Sequence, residues 1–555
     1  MDMYQSTGYY SPFKTEKVPE KYFVRNDPDY WQEKNLLRGK GQWIASKGSI
    51  DETFRTDFYN TPDTERRLTD GILAEQPTYT DPAWFRFTQA MGRMILFDLG
   101  AIGSVSQFVI RFLKERATGV SIPRFVDYAV SENGIDYERV ARLTGRSDHE
   151  ADIVQLRAKL EPAVRARFIR VTFPVAAHAY IDQIEAIGKK DITGARPVEP
   201  EEDDVANLPN RYCTAAELGG AKDVLLAYFC HEDRAPLDKS AFKPFVGYLD
   251  ENGKAKDTLF DGYLFLPFVA FLYDKYRKKP LNKEKWQYYM DQQFLDGKNL
   301  DALEEAACDV ADELGLPELK LKIFFSILYP VPEQHAFGVI GGKERDFRVL
   351  EDRIAALEWL VDEQEARFRA KGYRHLELAG YYWFTEEIDY EDEQLLAMIR
   401  SITDRIRGKG LITTWIPYYG ASGYDDWRNL GFDMACYQPN YAFRQDIPEQ
   451  RLFDAAKTAK ELGMCIELEV GGTARWNVEH TRNYYAAGAV TGFMKEAAHM
   501  YYQDGLPGCF HAAYLSKDPF LHSMYDDTYR FIKGTYPEDG FARPEEEGNG
   551  PTAGA

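Results

Sequence analysis

The stretch Met464-Cys465-Ile466-Glu467-Leu468-Glu469-Val470-Gly471-Gly472 decides the fold of the C-terminal part of this chain. It is a short apolar run with two carboxylates set near its end. If the run is a β-strand, successive side chains point to opposite faces, so Glu467 and Glu469 share one face. The stretch therefore predicts a buried strand that ends in a pair of acidic side chains.

A second acidic strand end lies earlier in the chain, in Leu378-Ala379-Gly380-Tyr381-Tyr382-Trp383-Phe384-Thr385-Glu386-Glu387. Carboxylates at the ends of two separate strands, one of them flanked by aromatic side chains, are what an enzyme needs to cleave a glycosidic bond. This pairing indicates glycosidase chemistry.

Strand and helix patterns alternate from residue 220 onward. The predicted strands are 222–230, 259–267, 320–329, 374–384, 411–418, 432–438, 463–470 and 508–514. The predicted helices are 283–296, 299–315, 346–372, 391–408, 448–462 and 480–502. Apolar strands that alternate with amphipathic helices indicate a parallel sheet with helices outside, and eight strands favour a TIM-type (β/α)8 barrel over an open sheet.

The N-terminal part shows a different pattern, in which short β-type runs alternate with turn signals. Several of its motifs, taken in order, resemble a discoidin (coagulation-factor type C) domain: Leu68-Thr69-Asp70-Gly71, 95–100, 122–123, Ser131-Glu132-Asn133-Gly134 with Tyr137, 166–171 and 181–188. The resemblance implies a jelly-roll β-sandwich that often binds glycans through loops at one end, frequently with a structural calcium ion. The alternative is a sandwich that serves only as a packing partner of the enzyme domain.

These patterns predict a multidomain chain of a β-sandwich followed by an α/β barrel. The predicted parts are a lead-in, a discoidin-like sandwich, a polar linker, the barrel and a disordered tail, at residues 1–40, 41–188, 189–219, 220–536 and 537–555.

Bulk properties exclude several classes of partner. The formal charge of −21 and the pI near 5.0 argue against nucleic acid and anionic membrane surfaces. No apolar run is long enough for a membrane span, and the first residues lack a secretory signal, so the chain as written is expected in the cytoplasm, or outside the cell if a signal was removed. The six scattered cysteines favour buried free thiols in a reducing compartment.

The predicted strand ends carry the candidate binding groups. Tyrosine, tryptophan and amide side chains suit neutral sugar rings, through stacking and hydrogen bonds to hydroxyl groups. For Trp383, Tyr418 and Tyr437 core packing is the alternative, and for His231 it is a structural role. The predicted substrate-binding residues are His231, Glu232, Tyr382, Trp383, Tyr418, Tyr419, Tyr437, Gln438 and Asn440.

The segments 410–420, 432–441 and 380–383 resemble a bacterial family known as domain of unknown function 4855. The resemblance covers roughly residues 220–530 and implies a glycosidase-like barrel, without an assigned substrate or catalytic residues.

In TIM-barrel glycosidases the acid/base follows strand four and the nucleophile ends strand seven. Carried over by position, Glu386 would protonate the leaving oxygen and Glu469 would attack or activate water. Glu387, or a solvated acidic helix start, is the alternative at the first position. Glu467 either orients a neighbour or is itself the catalyst.

The sequence thus predicts a glycoside hydrolase acting on a polysaccharide or oligosaccharide. It predicts no metal or other cofactor for catalysis, because neither an HExxH motif nor a histidine pair at ligand spacing is present. One alternative is a non-catalytic glycan-binding protein that uses the barrel as a platform. The other is a lyase or isomerase acting on acidic sugars.

Overall fold

The structure is a computed structural model. It describes residues 17–46, 62–88, 92–115, 120, 122–123, 125–144, 153–175, 178–200, 209–230, 235–268, 280–389, 392, 394–419, 421, 423–424, 427–505 and 507–539.

The described N-terminal residues form an antiparallel sheet of eight strands, whose long central strands β4 and β7 pair along most of their length. The strands are β1 (Lys34–Asn35), β2 (Gln42–Ser46), β3 (Phe85–Thr88), β4 (Arg93–Leu113), β5 (Phe125–Ser131), β6 (Glu138–Thr144), β7 (Ile153–Phe173) and β8 (His178–Lys189).

Breaks in the β4–β7 register, between Asp98 and Gly103 and between Val105 and Gln107, divide this sheet into two layers. The first half of β4 pairs with β2, and the adjoining half of β7 pairs with β5. The second half of β4 pairs with β8, which also holds β1 and β3. Phe108 stacks on Tyr128 at 4.3 Å between ring centroids, which joins the two layers over one buried core. The predicted sandwich is confirmed.

The C-terminal part is a closed barrel of eight parallel strands with helices around it, as predicted. Two short hairpins, β10 (Gly247–Leu249) with β11 (Ala255–Thr258) and β14 (Gly338–Ile340) with β15 (Lys343–Arg345), lie outside it. Barrel strands one to eight are β9 (Asp223–Phe229), β12 (Gly262–Pro267), β13 (Leu321–Ile327), β16 (Leu376–Trp383), β17 (Ile412–Trp415), β18 (Met434–Tyr437), β19 (Cys465–Glu469) and β20 (His499–Tyr502).

The helices of the described barrel residues follow the strands in alternation. None of them combines the length and the apolar character of a membrane span. They are α1 (Lys239–Val246), α2 (Lys283–Gln293), α3 (Leu300–Leu314), α4 (Leu350–Lys371), α5 (Leu395–Gly408), α6 (Trp427–Leu430), α7 (Gln450–Leu462), α8 (Arg475–Thr491), α9 (Phe493–Glu496), α10 (Cys509–Leu515) and α11 (Pro519–Ile532).

The end of the barrel differs from the prediction. The expected strand at 508–514 is wrong, because these residues fall in α10, and the expected helix 480–502 is wrong in its second half. Gly492, at φ +92°, ends α8, and after the short α9 the chain enters β20, which closes the barrel against β9. A left-handed φ of this kind is cheap for glycine and costly for other residues, so the helical pattern cannot continue through it.

Strand side chains alternate between the barrel interior and the helix layer. Met434, Cys436, Cys465 and Met500 lie in the interior cluster, whereas Trp415, Tyr437 and Ile466 pack outward against helices. Cys465 and Glu467 belong to the same face of β19, so the carboxylates of this strand point inward. The six cysteines are free thiols, and five of them are buried.

The predicted lead-in and linker both contact the sandwich. Within the lead-in, β1 pairs with β8, and within the linker the Arg196 guanidinium pairs with Glu138 of β6. The domain boundaries stay predictions.

Candidate active site

Two inward carboxylates lie at the C-terminal end of barrel strand seven. Only 3% of Glu467 and 1% of Glu469 are exposed. Gly463, at φ +67°, ends α7 and turns the chain directly into this strand. Because the C-terminal ends of the strands form the working face of such barrels, the pair lies where chemistry is expected.

Glu469 is held by hydrogen bonds to both of its oxygens. The Tyr484 hydroxyl donates to Oε2, and Asn440 Nδ2 donates to Oε1 at 3.1 Å. The backbone of Tyr441 and Asn440 also bonds to the carboxylate. Burial raises the pKa of Glu469, and these donors oppose the rise because they favour the charged form. Glu469 is therefore the better stabilised anion of the pair.

Glu467 lies one layer deeper and, within the described part of the chain, accepts no hydrogen bond. Burial raises the pKa of its carboxyl group well above the usual value, and the charges of Glu469 and Glu386 raise it further. Burial beside two other carboxyl groups, without a donor, disfavours the charged form of Glu467.

Glu386 follows barrel strand four on a segment whose carbonyl accepts from Tyr418 N at 3.4 Å. Its side chain reaches solvent, but the surrounding protein still removes much of its water. This desolvation raises the pKa of Glu386. A hydrogen bond from the Gln438 amide lowers it, and the negative charge of Glu387 raises it further. Since Glu386 also acts on the pKa of Glu467, the two carboxyl groups face one space.

A chain of amides connects the two sides. Gln438 Nε2 donates to Ile416 O at 3.1 Å, and Gln438 Oε1 accepts from Asn440 Nδ2 at 3.1 Å. Asn440 Oδ1 accepts from Tyr419 N at 2.7 Å. These bonds fix both amides, so Gln438 presents its side chain to Glu386 and Asn440 presents its donor to Glu469.

Aromatic side chains line the space between the carboxylates. Tyr228 and Tyr502 meet edge to face with 5.9 Å between ring centroids, and Tyr382 lies in the same interior cluster. The rim continues through Phe268, beside Tyr228, and Phe443, which contacts Tyr502 and is 47% exposed. These rings form an apolar wall, with tyrosine hydroxyl groups, beside the three glutamates.

The backbone is strained around this opening. Cys230, Asn440 and Asp504 have φ values of +63°, +49° and +64°. They follow barrel strands one, six and eight. Non-glycine residues in this region cost of order 1–3 kcal/mol each and cluster at functional sites.

The structure brings some of the predicted residues together and separates others. Tyr382, Gln438, Asn440 and the three glutamates converge at the opening. Tyr418 lies at its edge, where its hydroxyl donates to Glu387 at 3.0 Å. Tyr419 is buried beneath the Arg451 guanidinium, whose centre is 4.0 Å from the ring centroid.

Trp383 and Tyr437 lie on the outward face of their strands. Trp383 Nε1 donates to Thr385 Oγ1 at 2.6 Å, and Tyr437 stacks on Tyr424 at 5.2 Å. Core packing, the alternative for both, matches this placement. His231 and Glu232 lie outside the described residues, so their predicted roles stay predictions.

Sequence reasoning missed Tyr228, Tyr484, Tyr502 and Asp504. Tyr228 continues the inward positions Val224 and Leu226, so the alternation of the first strand could have identified it. Tyr502 and Asp504 were lost with the misplaced eighth strand. Tyr484 lies inside a helix, and no sequence pattern connects it with Glu469.

The opening provides a buried carboxyl group with a raised pKa, a carboxyl group with access to water, and aromatic faces. Among the described residues, no group of three or more histidine, cysteine or acidic side chains is arranged to hold a metal ion. The structural calcium expected in the sandwich stays a prediction.

Solved structures are similar to the N-terminal region. One is CpGH89CBM32-6, produced by Clostridium perfringens, with 15% identity over 28% of this chain and 99% of that chain, and a TM-score of 0.19. Another is a fucose binding module of Streptococcus pneumoniae, with 15% identity over 28% of this chain and 96% of that chain, and a TM-score of 0.20. A comparison with curated proteins finds no match.

The profile of the family described as "Domain of unknown function (DUF4855)" matches residues 223–530. This range contains all eight barrel strands together with Glu386, Glu467 and Glu469, and it is more than half of the 555 residues. The chain therefore belongs to the DUF4855 family, as its resemblance predicted.

Proposed function

We propose that the barrel is a glycoside hydrolase and that Glu386 and Glu467 are its reacting carboxyl groups. The observation that carries the proposal is their asymmetry across one aromatic-lined opening. Glu467 is buried without a described donor, whereas Glu386 reaches water and accepts from Gln438. Hydrolysis of a glycosidic bond needs one neutral and one ionised carboxyl group.

The charge distribution gives each group a role. Glu467 would hold a proton, because burial raises its pKa, and would donate it to the leaving oxygen. Glu386 would carry the negative charge and would attack the anomeric carbon or activate a water molecule. This reverses the roles expected from strand position. Glu469 would act as a positioning residue, because hydrogen bonds from Tyr484 and Asn440 fix its carboxyl group and its charge raises the pKa of Glu467.

The tyrosines support hydrolysis over a lyase reaction. A lyase needs a base, and burial raises the pKa of Tyr228, Tyr382 and Tyr502 above the usual value, as do the neighbouring carboxylates. Their phenolate forms are therefore disfavoured. The opening suits proton donation by carboxyl groups better than proton abstraction by tyrosine.

The test is reducing-end release from a panel of polysaccharides and aryl glycosides, with wild type beside Glu386→Gln, Glu467→Gln and Glu469→Gln. We expect both reacting-group variants to lose about 10²–10⁴-fold in kcat. Glu461→Gln is the matched control, because Glu461 is another carboxyl group with a raised pKa, at the far end of α7.

Two rescues assign the roles. An activated leaving group such as dinitrophenol needs no proton, so it should restore Glu467→Gln and leave Glu386→Gln impaired. Added azide should restore a Glu386→Ala variant. Full activity in both Gln variants would overturn the assignment, and glycan binding without turnover in wild type would establish the platform alternative.

A further inference from the structure

The carboxylates at the opening carry a charge that no described cation balances. Glu386 and Glu387 are exposed after barrel strand four, and Asp504 is exposed after strand eight. Glu467 and Glu469 lie between them. Burial raises the pKa of Tyr228 most, and the charges of Glu386 and Asp504 add to the rise, so these two carboxylates lie around the same aromatic face.

The described arginines nearest along the chain are engaged elsewhere. Arg444 pairs with Asp446, and Arg475 pairs with Glu479. Like charges in a partly dehydrated opening repel one another strongly. A positively charged ligand would relieve this repulsion, a neutral ligand would leave it, and an acidic ligand would increase it.

The unpartnered Glu467 is a second, independent observation. Only 3% of Glu467 is exposed, and it faces the barrel interior. Within the described part of the chain, its carboxyl group accepts no hydrogen bond. Buried carboxyl groups are normally paired. A polar group of a bound ligand would supply the missing partner, and the rings of Tyr228 and Tyr502 offer aromatic faces that attract an ammonium group.

We infer that the substrate is a glycan whose sugar units carry free, protonated amino groups, bound with an ammonium group among Glu386, Glu387 and Asp504. That this glycan is a substrate rests on the proposed function, but its binding can be tested without turnover. Charge and ring stacking together would select an amino sugar over a neutral or uronic sugar.

The test compares binding of a short oligosaccharide of free glucosamine units with its fully N-acetylated counterpart by calorimetry. We expect the free-amine form to bind at least about tenfold more tightly. Raising the salt from about 0.05 M to about 1 M should remove that preference, because the exposed carboxylates are screened. The double variant Glu387→Gln/Asp504→Asn should lose it as well.

The control tests whether the overall charge of −21, which attracts any cation, accounts for the preference. The double variant Glu251→Gln/Glu318→Gln removes the same charge from exposed residues at the opposite end of the barrel and should bind as wild type does. An equal loss in both double variants would overturn the inference. So would equal binding of the two oligosaccharides, or a preference for a uronic-acid oligosaccharide.

The outcomes separate the two proposals. Tight binding of the amine oligosaccharide without hydrolysis would overturn the hydrolase and keep the charge inference. Hydrolysis of neutral glycans alone would support the hydrolase and overturn the charge inference.

Discussion

Glu461 illustrates how a single half-buried carboxyl group sets a pH dependence. Burial raises its pKa to about 7, and within the described residues one of its oxygens is buried without a hydrogen-bond partner. The folded state therefore holds this proton more tightly than the unfolded chain. The stability that results is present below the ordinary carboxyl pKa and is lost as pH rises through about 7.

We expect Glu461→Gln to be more stable than wild type by about 1–2 kcal/mol near pH 8, and to match it near pH 4, since glutamine cannot ionise. Urea unfolding at both pH values measures this. A constant difference across the range would contradict the pKa argument.

Tyr484 tests the network behind the site. Its hydroxyl donates to Glu469 and accepts from Tyr441 N at 3.2 Å. We expect Tyr484→Phe to raise the pKa of Glu469 and to cost about 1–3 kcal/mol of stability, because a buried donor to a carboxylate is lost. The pH–activity profile should therefore change.

The neighbouring Tyr485→Phe is the control. Its hydroxyl bonds to Thr528 Oγ1 at 2.7 Å, away from the carboxylates. It should lose stability without moving the pH profile, and an identical profile in both variants would remove Tyr484 from the network.

Helix packing around α8 depends on Gly488, whose lack of a side chain lets two aromatic rings pack against the helix. A Cβ atom at Gly488 would lie 2.6 Å from the rings of Phe493 and Phe531, which pack α9 and α11 against α8. We expect Gly488→Ala to cost about 1–3 kcal/mol of unfolding free energy through overpacking. Gly408, in α5, has no atom within 4 Å of the same position, so Gly408→Ala should be neutral or stabilising. Chemical denaturation of both variants measures this, and equal effects would contradict the packing argument.

The elements that the sequence predicts well are those with a long, regular pattern. The first seven barrel strands and the long helix α4 lie within or beside the predicted ranges. The eighth strand is not predicted because His499–Tyr502 has only four residues, too few to show a period. It also follows a helix whose apolar pattern continues past Gly492.

The site divides in the same way. Glu386, Glu467 and Glu469 are recognisable because a strand end with a carboxylate is a local pattern. The partners of Glu469 are not, because Asn440 and Tyr484 reach it only through the folded barrel. Trp383 and Tyr437 show that residue type is insufficient, since one position along a strand decides which face a ring takes.

The whole barrel separates a working face from a stabilising face. The open carboxylates lie at the C-terminal ends of the strands. At the opposite end, His499 Nδ1 lies 2.9 Å from Asp223 Oδ1 and His499 Nε2 lies 2.9 Å from Phe493 O. Both partners are acceptors, so the His499 ring bridges the carboxylate of strand one and a backbone carbonyl of α9. Tyr501 also donates to Asp223 Oδ1 at 2.7 Å.

This buried pair joins the first and last strands of the barrel, and its energetics can be measured by a double-mutant cycle. We expect Asp223→Leu or His499→Phe alone to cost about 1–3 kcal/mol, because each leaves a buried hydrogen-bonding group without its partner. The double variant should lose clearly less than the sum of the two, since it removes both partners of the contact. The exposed pair Arg444–Asp446 is the matched control and should show no measurable coupling, because water screens it. Additive losses at His499 and Asp223 would mean that hydrophobic packing, rather than the hydrogen-bonded contact between the terminal strands, holds the barrel closed.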